Sequence, residues 1–598
     1  MLSPRRLLIL AVLIGLSITL AVARAIQVQV VENPKYVAAA SYQQTQLHTT
    51  LAPRGAIYDR NGSLLAISNR AYLIRIVPIH ITDTLAVANA LAPALGKGID
   101  EVFSQMKTIS DSAATAAPLS TIVSYDLSPR ATHQLTMTLG KLAGVTIEET
   151  WDRTYPYGPI AGPTLGFVSL QPTGYSGIEG FYDAELTSST GQRTEKSRLD
   201  LLSVKPVHNG ADVVLTLDMT LQAYVEQRLT QALHDTRAMS GTVIVMETKT
   251  GAILASASAP GYDPNRALEL ANSGQFGLLK DPSVSNLYEP GSVMKIATLA
   301  TALDIGFITP AMVVSDTGRL VIGTKRIYNS DRVGHGNVNL ETILTLSLNV
   351  PTANIALGMG PEKFYEHFKL FGFGSQSGID LGGEDVGVLR TPSDVTWSPS
   401  DLATNSYGQG MSATPYQVAS ALNAIANDGM LMQPYIVREW RQADGNIVTK
   451  QPVATRRVIS AETARILRDV MVAATRRGTP EALLKGYTVA GKTGTADWYK
   501  PVLVNGQLVI RKQDSTIVTY VGFVPASDPK LTILVKLDQP MSSQWAGKTT
   551  VPVFHDVAER ACLIMGVAPN VALGSTPGSA PNAAAADAKR SASGLKQP

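Results

Sequence analysis

A serine and a lysine stand three positions apart in YEPGSVMKIAT, residues 288–298, directly after a Pro-Gly pair. Positions i and i+3 share one face of a helix, so the amine of Lys295 can approach the hydroxyl of Ser292. A serine becomes a nucleophile when a base takes its proton, and a lysine with a depressed pKa can be that base. Gly291 lets another chain segment pass close to this turn. Taken alone, the pattern is more typical of an ordinary helix start, in which Ser292 is a cap and Lys295 reaches solvent.

Two later segments favour the catalytic interpretation. LSLNVPTAN, residues 346–354, places Ser347 two residues before Asn349, and AGKTGTA, residues 490–496, contains Lys492-Thr493-Gly494 and then Thr495. Ser-x-x-Lys, Ser-x-Asn and Lys-Thr-Gly in this order form the motif set of serine acyl-transferases that react with β-lactams. Each motif alone also fits a structural role, as a helix serine, a cap or strand-forming threonines. The ordered set favours acyl transfer.

The third motif also matches a nucleotide-binding expression. GYTVAGKT, residues 486–493, fits G-x-x-x-x-G-K-[ST], which in a true phosphate-binding loop stands between a strand and a helix. Here the loop positions YTVA are typical of a strand, and GTADWYK after them does not begin a helix. We therefore reject the nucleotide-binding interpretation.

Composition excludes several other classes of protein. Hydrophobic residues make up 45% and charged residues 17% of the 598 positions, and the net charge of +3 gives no sign of nucleic-acid binding. The single cysteine, Cys562, excludes an intrachain disulfide or a cysteine-based zinc site. The eight histidines are scattered. We expect neither a metal nor another cofactor.

The N-terminus predicts a membrane anchor. An uncharged apolar run from Leu7 to Ala23 would span about 25 Å as a helix, and continuation past Arg24 would complete a membrane crossing. Arg5 and Arg6 place the short N-terminal side in the cytoplasm. A cleaved signal peptide is the alternative, because AVA and ARA resemble cleavage sites.

The order of predicted elements favours an α+β fold. Hairpins are expected at Asn61-Gly62 and around residues 249–251, and a strand followed by a helix over residues 212–229. Helix-like runs cover MKIATLATALDIG, LETILTLSLNVPTANIALG and PYQVASALNAIAND, and strand patterns return after residue 486. Strands at both ends with helices between them predict an antiparallel sheet flanked by helices.

These features together resemble the class B penicillin-binding proteins, which are membrane-anchored peptidoglycan transpeptidases. Besides the three motifs, the resemblance includes RGAIYDRNG, RTYPYG, GYSGIEGFYDAEL, TLDMTLQ, GAILASASAPGYDPN, YEPGS, SYGQGMSATPYQVASALNAIANDG and GYTVAGKTGTA. We interpret RGAIYDRNG and GYSGIEG as structural. Leu348 stands in the middle of the second motif, where division-type members often have serine.

The resemblance implies a transpeptidase domain of the penicillin-binding and β-lactamase-like fold. The implied division of the chain is a cytoplasmic tail over 1–6, a transmembrane anchor over 7–26, a noncatalytic N-terminal pedestal of the dimerisation type over 27–203, the transpeptidase domain over 204–566 and a disordered low-complexity tail over 567–598.

The resemblance also implies a role for each motif residue. Ser292 attacks the penultimate D-Ala of a stem peptide and Lys295 is its base. The other implied roles are proton relay by Ser347, contact with the substrate amide by Asn349, binding of the terminal carboxylate by Lys492, Thr493 and Thr495, substrate binding by Gly494, and an oxyanion hole from the backbone N–H groups of Ser292 and Thr495. Lys492 also helps keep Lys295 neutral.

The implied partners are peptidoglycan stem peptides and their lipid-linked precursor, β-lactam antibiotics, the membrane, a SEDS-type glycosyltransferase and divisome proteins. EPGS and GYTVAGKTGTA favour a septal role, with elongation and sporulation as alternatives. A β-lactamase would need a deacylating glutamate that we do not recognise between Ser347 and Lys492. A bifunctional synthase would need a glycosyltransferase domain, whose motifs we do not recognise in residues 27–200. A noncatalytic penicillin-binding sensor stays open.

Overall fold

The computed structural model shows two compact units that interleave along the chain. Unit 1 comprises residues 1–55, 68–152 and 187–210, and unit 2 comprises 56–67, 153–186 and 211–598. The residues described are 4–27, 45–50, 52–76, 81, 83–95, 97–113, 121–122, 137–138, 142, 145–169, 173–187, 191–196, 200–204, 208–504 and 507–572. Most of the predicted C-terminal tail, residues 573–598, lies outside them.

Unit 1 begins with helix α1, Pro4–Ile26, which contains the apolar run of the predicted anchor. Among the described residues, no helix meets the length and apolarity that a membrane crossing needs. Helices α2 (Thr84–Leu95) and α3 (Ile99–Ala113) pack around a small core that includes Val87, Leu91 and Val102. The unit's strands are β1 (Thr45–Thr50), most of β3 (Leu64–Ile76), β4 (Thr121–Ile122), most of β5 (Val145–Thr154), β6 (Gly191–Lys196) and β7 (Asp200–Val204).

Unit 2 is built on a five-stranded antiparallel sheet. Its strands are β9 (Ser240–Glu247), β10 (Ile253–Ala259), β19 (Ala490–Val504), β20 (Gln507–Val524) and β21 (Leu531–Asp538), in the spatial order β10-β9-β21-β20-β19. Strand β19, which carries the Lys-Thr-Gly motif, therefore lies at an edge. Because Lys492 sits within a strand and no helix follows it, the rejection of a phosphate-binding loop is confirmed.

Helices cover both faces of this sheet. On one face, α7 (Met219–Thr236) and α17 (Thr550–Ile564) form a core with Val243, Val535 and Phe554. On the other face, a larger core contains Ile244, Val521 and Leu534 and the helices α10 (Met294–Asp304) and α15 (Pro415–Ala426). This layering of helices on an antiparallel sheet is the α+β architecture expected from the order of predicted elements.

The remaining helices of unit 2 are mostly short. They are α4 (Gly162–Leu165), α5 (Gly177–Phe181), α6 (Asp183–Leu186), α8 (Ala267–Asn272), α9 (Pro282–Ser285), α11 (Leu340–Thr345), α12 (Asn349–Met359), α13 (Pro361–Leu370), α14 (Pro399–Asn405) and α16 (Ala461–Gly478). Single 3₁₀ turns cover Pro264–Arg266, Phe276–Leu279, Gly291–Val293, Pro480–Ala482 and Ala546–Lys548.

The other strands of unit 2 are β2 (Ile57–Tyr58), β8 (Asp212–Leu215), β11 (Val313–Asp316), β12 (Arg319–Ile322), β13 (Lys325–Tyr328), β14 (Gly336–Asn339), β15 (Met430–Met432), β16 (Val437–Arg441), β17 (Ile447–Thr449) and β18 (Ala454–Arg457). Of these, β17, β16, β8 and β2 lie side by side in that order, and the rest form two-stranded sheets. Strands β11 and β14 pair antiparallel, as do β12 and β13. These four strands lie between α10 and α11 in the chain, and we call residues 313–339 the insert lobe.

Both predicted hairpins form. Strand β2 pairs antiparallel with the start of β3 across Asn61-Gly62, where Gly62 has a φ of 90°. Strands β9 and β10 pair antiparallel across residues 248–252. The interpretation of RGAIYDRNG as structural agrees with Asp59, which accepts the backbone N–H groups of Asn61 and Ser63 and closes the first turn.

One predicted helix is in fact two. The helix-like run over residues 340–358 is broken between α11 and α12, and Ser347 at the break has a φ of 55°. A left-handed residue cannot continue a right-handed helix, so the apolar periodicity on either side concealed a turn. This turn carries the second motif.

Candidate active site

The turn that carries Ser292 is pressed against the edge strand β19. Ser292 lies in the 3₁₀ turn Gly291–Val293 that leads into α10, and it is partly exposed. Gly291 has a φ of 62°, and a Cβ there would lie 2.6 Å from the backbone oxygen of Thr495. Only glycine combines this conformation with such a close approach. The expectation that Gly291 lets another segment pass close is confirmed, and that segment belongs to the third motif.

Lys295 lies one helical turn after Ser292 and is fully buried at 0% exposure. Its amine donates to the hydroxyl of Ser347 at 3.1 Å and also to the Ser347 backbone oxygen. Burial lowers the pKa of Lys295 well below its usual value, and the nearby charge of Lys492 lowers it further. A neutral amine that donates both its protons keeps a lone pair with which it can accept another.

Ser347 receives hydrogen bonds from both lysines. Its hydroxyl oxygen accepts from Lys295 at 3.1 Å and from Lys492 at 3.0 Å. With both lone pairs engaged, the hydroxyl proton of Ser347 can be donated to a third group. This arrangement allows a proton to pass through Ser347.

Lys492 lies on β19 and is only 5% exposed. Besides Ser347, its amine donates to the hydroxyl of Thr493 at 3.0 Å and to the Thr493 backbone oxygen at 3.2 Å. Burial lowers the pKa of Lys492 to about 7. The amine therefore changes charge near neutral pH, where it can bind an anion in its protonated form.

Gly494 allows the edge strand to approach the nucleophile turn. A Cβ at this position would lie 2.5 Å from the backbone oxygen of Pro290 and 2.9 Å from a methyl group of Val293. Thr495 follows and is half-buried. The backbones of Thr495 and of the Ser292 turn consequently run side by side.

Asn349 begins α12, two residues after Ser347. Its side-chain amide donates to the backbone oxygen of Tyr328 at 2.8 Å, so one of its two N–H groups is occupied. Its carbonyl oxygen and second N–H group provide the capacity to meet a substrate amide.

The structure thus brings together the side chains of all three motifs. Sequence reasoning missed two further groups that hold them. Glu289 accepts the backbone N–H of Gly410 at 2.8 Å and ties the segment before Ser292 to residues 408–413. Asn329 caps the start of α12. Glu289 stands in YEPGS, but nothing in that segment indicated its contact with Gly410, and Asn329 has no motif or spacing that could have identified it.

The assembled side chains suit acyl transfer. They provide a partly exposed hydroxyl, a buried amine with a depressed pKa and a second hydroxyl between two amines, which are the parts of an activated serine nucleophile. Among the described residues, no group of three or more histidine, cysteine or carboxylate side chains could hold a metal ion.

Comparison with known proteins places these parts in a family. Residues 241–559 match the penicillin-binding protein transpeptidase domain, and residues 49–215 match the penicillin-binding protein dimerisation domain. Stage V sporulation protein D of Bacillus subtilis is 31% identical over 535 residues, which cover 86% of this chain and 79% of that protein. A probable peptidoglycan D,D-transpeptidase, PenA of Neisseria meningitidis, is 28% identical, with 87% of this chain and 86% of that protein covered.

Solved structures agree with the sequence matches. Penicillin-binding protein 3 of Mycobacterium tuberculosis, determined in complex with aztreonam, superposes with a TM-score of 0.66 at 26% identity. The match covers 88% of this chain and 100% of that one. The two domain matches and the two relatives indicate the same family. The chain belongs to the class B penicillin-binding proteins, the peptidoglycan D,D-transpeptidases.

Proposed function

We propose that this protein crosslinks peptidoglycan stem peptides through an acyl-enzyme on Ser292. The observation that carries the proposal is the hydrogen-bonded series Lys295, Ser347 and Lys492, assembled from three motifs beside the nucleophile turn. Ser292 attacks the carbonyl carbon of the penultimate D-Ala in a peptide ending in D-Ala-D-Ala. An ester forms and the terminal D-Ala leaves.

Lys295 takes the proton of Ser292 during this attack. Its burial supports the role, because a buried amine with a lowered pKa is neutral and can accept a proton. Ser347 then donates its own proton to the departing amine of D-Ala and recovers one from the lysines that contact it.

The developing negative charge lies on the carbonyl oxygen of the substrate. The backbone N–H groups of Ser292 and Thr495 are the proposed donors, and the close approach of Gly291 to Thr495 supports their convergence. Loss of one such donor typically costs about 3 kcal/mol of transition-state stabilisation.

The remaining motif residues hold the substrate. Lys492 in its protonated form binds the terminal carboxylate together with the hydroxyls of Thr493 and Thr495, and Gly494 leaves room beside them. Asn349 meets the amide of the donor peptide. Strand β19 is at a sheet edge, where an extended peptide can add its backbone alongside.

The amine of a second stem peptide then attacks the ester and forms the crosslink, which regenerates the Ser292 hydroxyl. β-Lactams present the same carbonyl and carboxylate pattern and acylate the same serine. A stable adduct distinguishes this enzyme from a β-lactamase, which would hydrolyse it rapidly.

We further propose residues 7–26 as a single-pass anchor behind the cytoplasmic tail 1–6, with the catalytic part outside the membrane. The apolar run with Arg5 and Arg6 before it supports this topology. In the same proposal, residues 27–203 form the noncatalytic pedestal, 204–566 the transpeptidase domain and 567–598 the tail. Within the pedestal range, residues 56–67 and 153–186 belong to the compact unit that contains the catalytic residues. The machinery is the septal one, with a SEDS-type glycosyltransferase and divisome proteins as partners.

The experiment is fluorescent-penicillin labelling combined with a crosslinking assay on polymerised lipid-linked precursor. We expect wild type to be labelled stably and to form crosslinked muropeptides, and Ser292→Ala to do neither while remaining folded. Rapid turnover of the penicillin would indicate a β-lactamase, and stable labelling without crosslinks would indicate a sensor. Imaging of a fluorescent fusion tests the septal role, which a signal spread along the side wall would contradict.

A further inference from the structure

The turn that carries Ser347 leads into a helix that does not cap itself. Helix α12 begins at Asn349, and the residue before it is Leu348, whose side chain is apolar and buried. The first N–H groups of a helix have no partner within the helix and need one from elsewhere. A leucine cannot provide it.

Asn329, twenty residues upstream, supplies the missing cap. Its side-chain oxygen accepts the backbone N–H of Asn349 at 2.9 Å and that of Val350 at 3.1 Å. Asn329 lies in the insert lobe directly after β13 and is 2% exposed. The start of the helix is thus fixed from a different part of the chain.

Asp316 fixes the direction in which the Asn329 amide points. The Asn329 nitrogen donates to both carboxylate oxygens of Asp316, at 3.0 and 2.8 Å, and to the backbone oxygen of Val333 at 2.9 Å. Because a carboxylate and a carbonyl oxygen only accept, the nitrogen must face them and the oxygen must face the helix. Asp316 is held in turn by the backbone N–H groups of Gly318 and His335.

The end of strand β13 also holds the side chain of Asn349, the last residue of the second motif. Asn349 donates from its amide to the backbone oxygen of Tyr328, the residue before Asn329. Both the backbone N–H and the side-chain amide of Asn349 are therefore hydrogen-bonded to residues 328–329.

Ser347 needs this support because its own conformation is unfavourable. At a φ of 55° it occupies the left-handed region, which a residue with a Cβ rarely adopts and which persists only where its surroundings impose it. The N–H of Leu348 bonds to Ile343 on one side of the turn, and the Asn329 cap holds the other side.

We infer that Asn329, oriented by Asp316, is a positioning residue that keeps the Ser347 hydroxyl between Lys295 and Lys492. The inference rests on the proposed function, because the consequence lies in proton transfer through Ser347. The residues proposed to bind the substrate carboxylate, Lys492 and Thr493, lie on strand β19 and not on the segment that Asn329 caps. Loss of the cap should therefore slow acylation and leave initial binding nearly unchanged.

The test measures the acylation rate constant and the dissociation constant of the initial complex, using fluorescent penicillin and the full chain. For Asn329→Ala we expect acylation to slow by about 10- to 100-fold with the dissociation constant within about twofold of wild type, because small misplacements of reacting groups have effects of this size. The matched control is Asn339→Ala. Asn339 caps the neighbouring helix α11 through the N–H of Thr342, so its loss also removes a cap but not this one. We expect the control to melt at a lower temperature and to be acylated at the wild-type rate.

A rescue separates positioning from general stability. Asn329→Asp alone places two carboxylates face to face, and we expect it to slow acylation. Combining it with Asp316→Asn removes the repulsion between the two carboxylates, and the new carboxylate still caps the helix. The carboxylate introduced at position 329 then faces the Val333 backbone oxygen, and the NH2 group introduced at position 316 replaces an acceptor of a backbone N–H, so we expect the double variant to recover only part of the acylation rate. If Asn329→Ala does not fold, the Asn329→Asp variant and the double variant carry the test.

The outcomes are distinct. Wild-type acylation at Ser292 combined with an unchanged rate in Asn329→Ala would overturn the inference and leave the proposed function intact. Equal loss in Asn329→Ala and Asn339→Ala, or acylation of the double variant that is no faster than that of Asn329→Asp, would also overturn it. A wild-type protein that no penicillin acylates would instead refute the proposed function.

Discussion

At the scale of single residues, burial decides the protonation of two lysines that share one serine hydroxyl. Burial lowers the pKa of Lys295 well below its usual value, and the charge of Lys492 lowers it further, which favours the neutral amine. Burial lowers the pKa of Lys492 to about 7. The two amines are therefore suited to different roles: Lys295 can accept a proton, and protonated Lys492 can bind a carboxylate.

This division predicts how acylation depends on pH. Lys492 binds the carboxylate only when protonated, so acylation efficiency by a carboxylate-bearing penicillin should fall as the pH rises through about 7. Lys295 must be neutral, so acylation should also fall at acidic pH as this amine gains a proton. The expected profile of efficiency against pH is a bell, and stopped-flow labelling across the pH range measures it.

The alkaline side of this profile belongs to Lys492. Arginine stays protonated across this pH range, so Lys492→Arg should shift the alkaline limb of the profile to higher pH, whether or not the maximal acylation efficiency falls. An alkaline limb that stays in place in this variant would show that another group is responsible.

Replacing Lys295 should affect the chemical step rather than binding. We expect Lys295→Met, which keeps the length and removes the amine, to slow acylation by about 10²- to 10⁴-fold, the usual contribution of a general base. The circular dichroism spectrum should match wild type. Acylation at the wild-type rate would exclude Lys295 as the base.

At the scale of elements, the site is positioned by close contact between the nucleophile turn and the edge strand β19. Gly291 and Gly494 lie at this contact, each with backbone atoms of the other segment where a Cβ would be. The distance between the first and third motifs thus depends on the absence of two side chains.

Gly291→Ala should therefore damage function more than stability alone explains. Its Cβ would lie 2.6 Å from the Thr495 oxygen, so the turn must move away from β19. We expect acylation to slow by at least about 100-fold, because the nucleophile and the oxyanion donors separate.

The matched control is Gly306→Ala. Gly306 has a similar φ of 70° just after α10, with no heavy atom within 4 Å of its Cβ position. This variant should lose about 1 kcal/mol of stability and keep the wild-type acylation rate. Equal kinetic loss in both variants would mean that backbone strain, rather than the contact with Thr495, is what matters.

The sequence predicted the motif residues and most of the elements around them. Ser292, Lys295, Ser347 and Lys492 could be found because the chemistry fixes their types and order. The helix break at Ser347 could not, because the apolar positions of α11 and α12 continue one periodicity across it. Asn329 and Asp316 could not either, because a cap supplied from twenty residues away has no fixed spacing.

At the scale of the whole molecule, segments far apart in the chain belong to one compact unit. Residues 153–186 are in the same unit as the catalytic residues, and the Tyr182 hydroxyl donates to Asp380 at 2.8 Å. Within this segment, Arg153 and Glu179 form an ion pair at 2.7 Å with exposures of 7% and 0%. This ion pair agrees with our structural interpretation of GYSGIEG.

Removing one partner of this pair should destabilise the unit. Glu179→Gln removes the buried carboxylate that pairs with Arg153, and we expect a loss of about 3–5 kcal/mol. Thermal unfolding measures it. The control is Glu366→Gln, which breaks an exposed pair with Lys363 and should change stability by less than about 1 kcal/mol. Similar melting temperatures for the two variants would show that the buried pair contributes no more than a surface one.

The most direct test of acyl transfer by Ser292 is mass spectrometry of the full chain after incubation with benzylpenicillin. We expect a single, persistent gain equal to the mass of one intact penicillin, located on the peptide that contains Ser292 and absent in Ser292→Ala. An adduct on another residue, an adduct that persists in Ser292→Ala, or no adduct at all would contradict the assignment of Ser292 as the nucleophile.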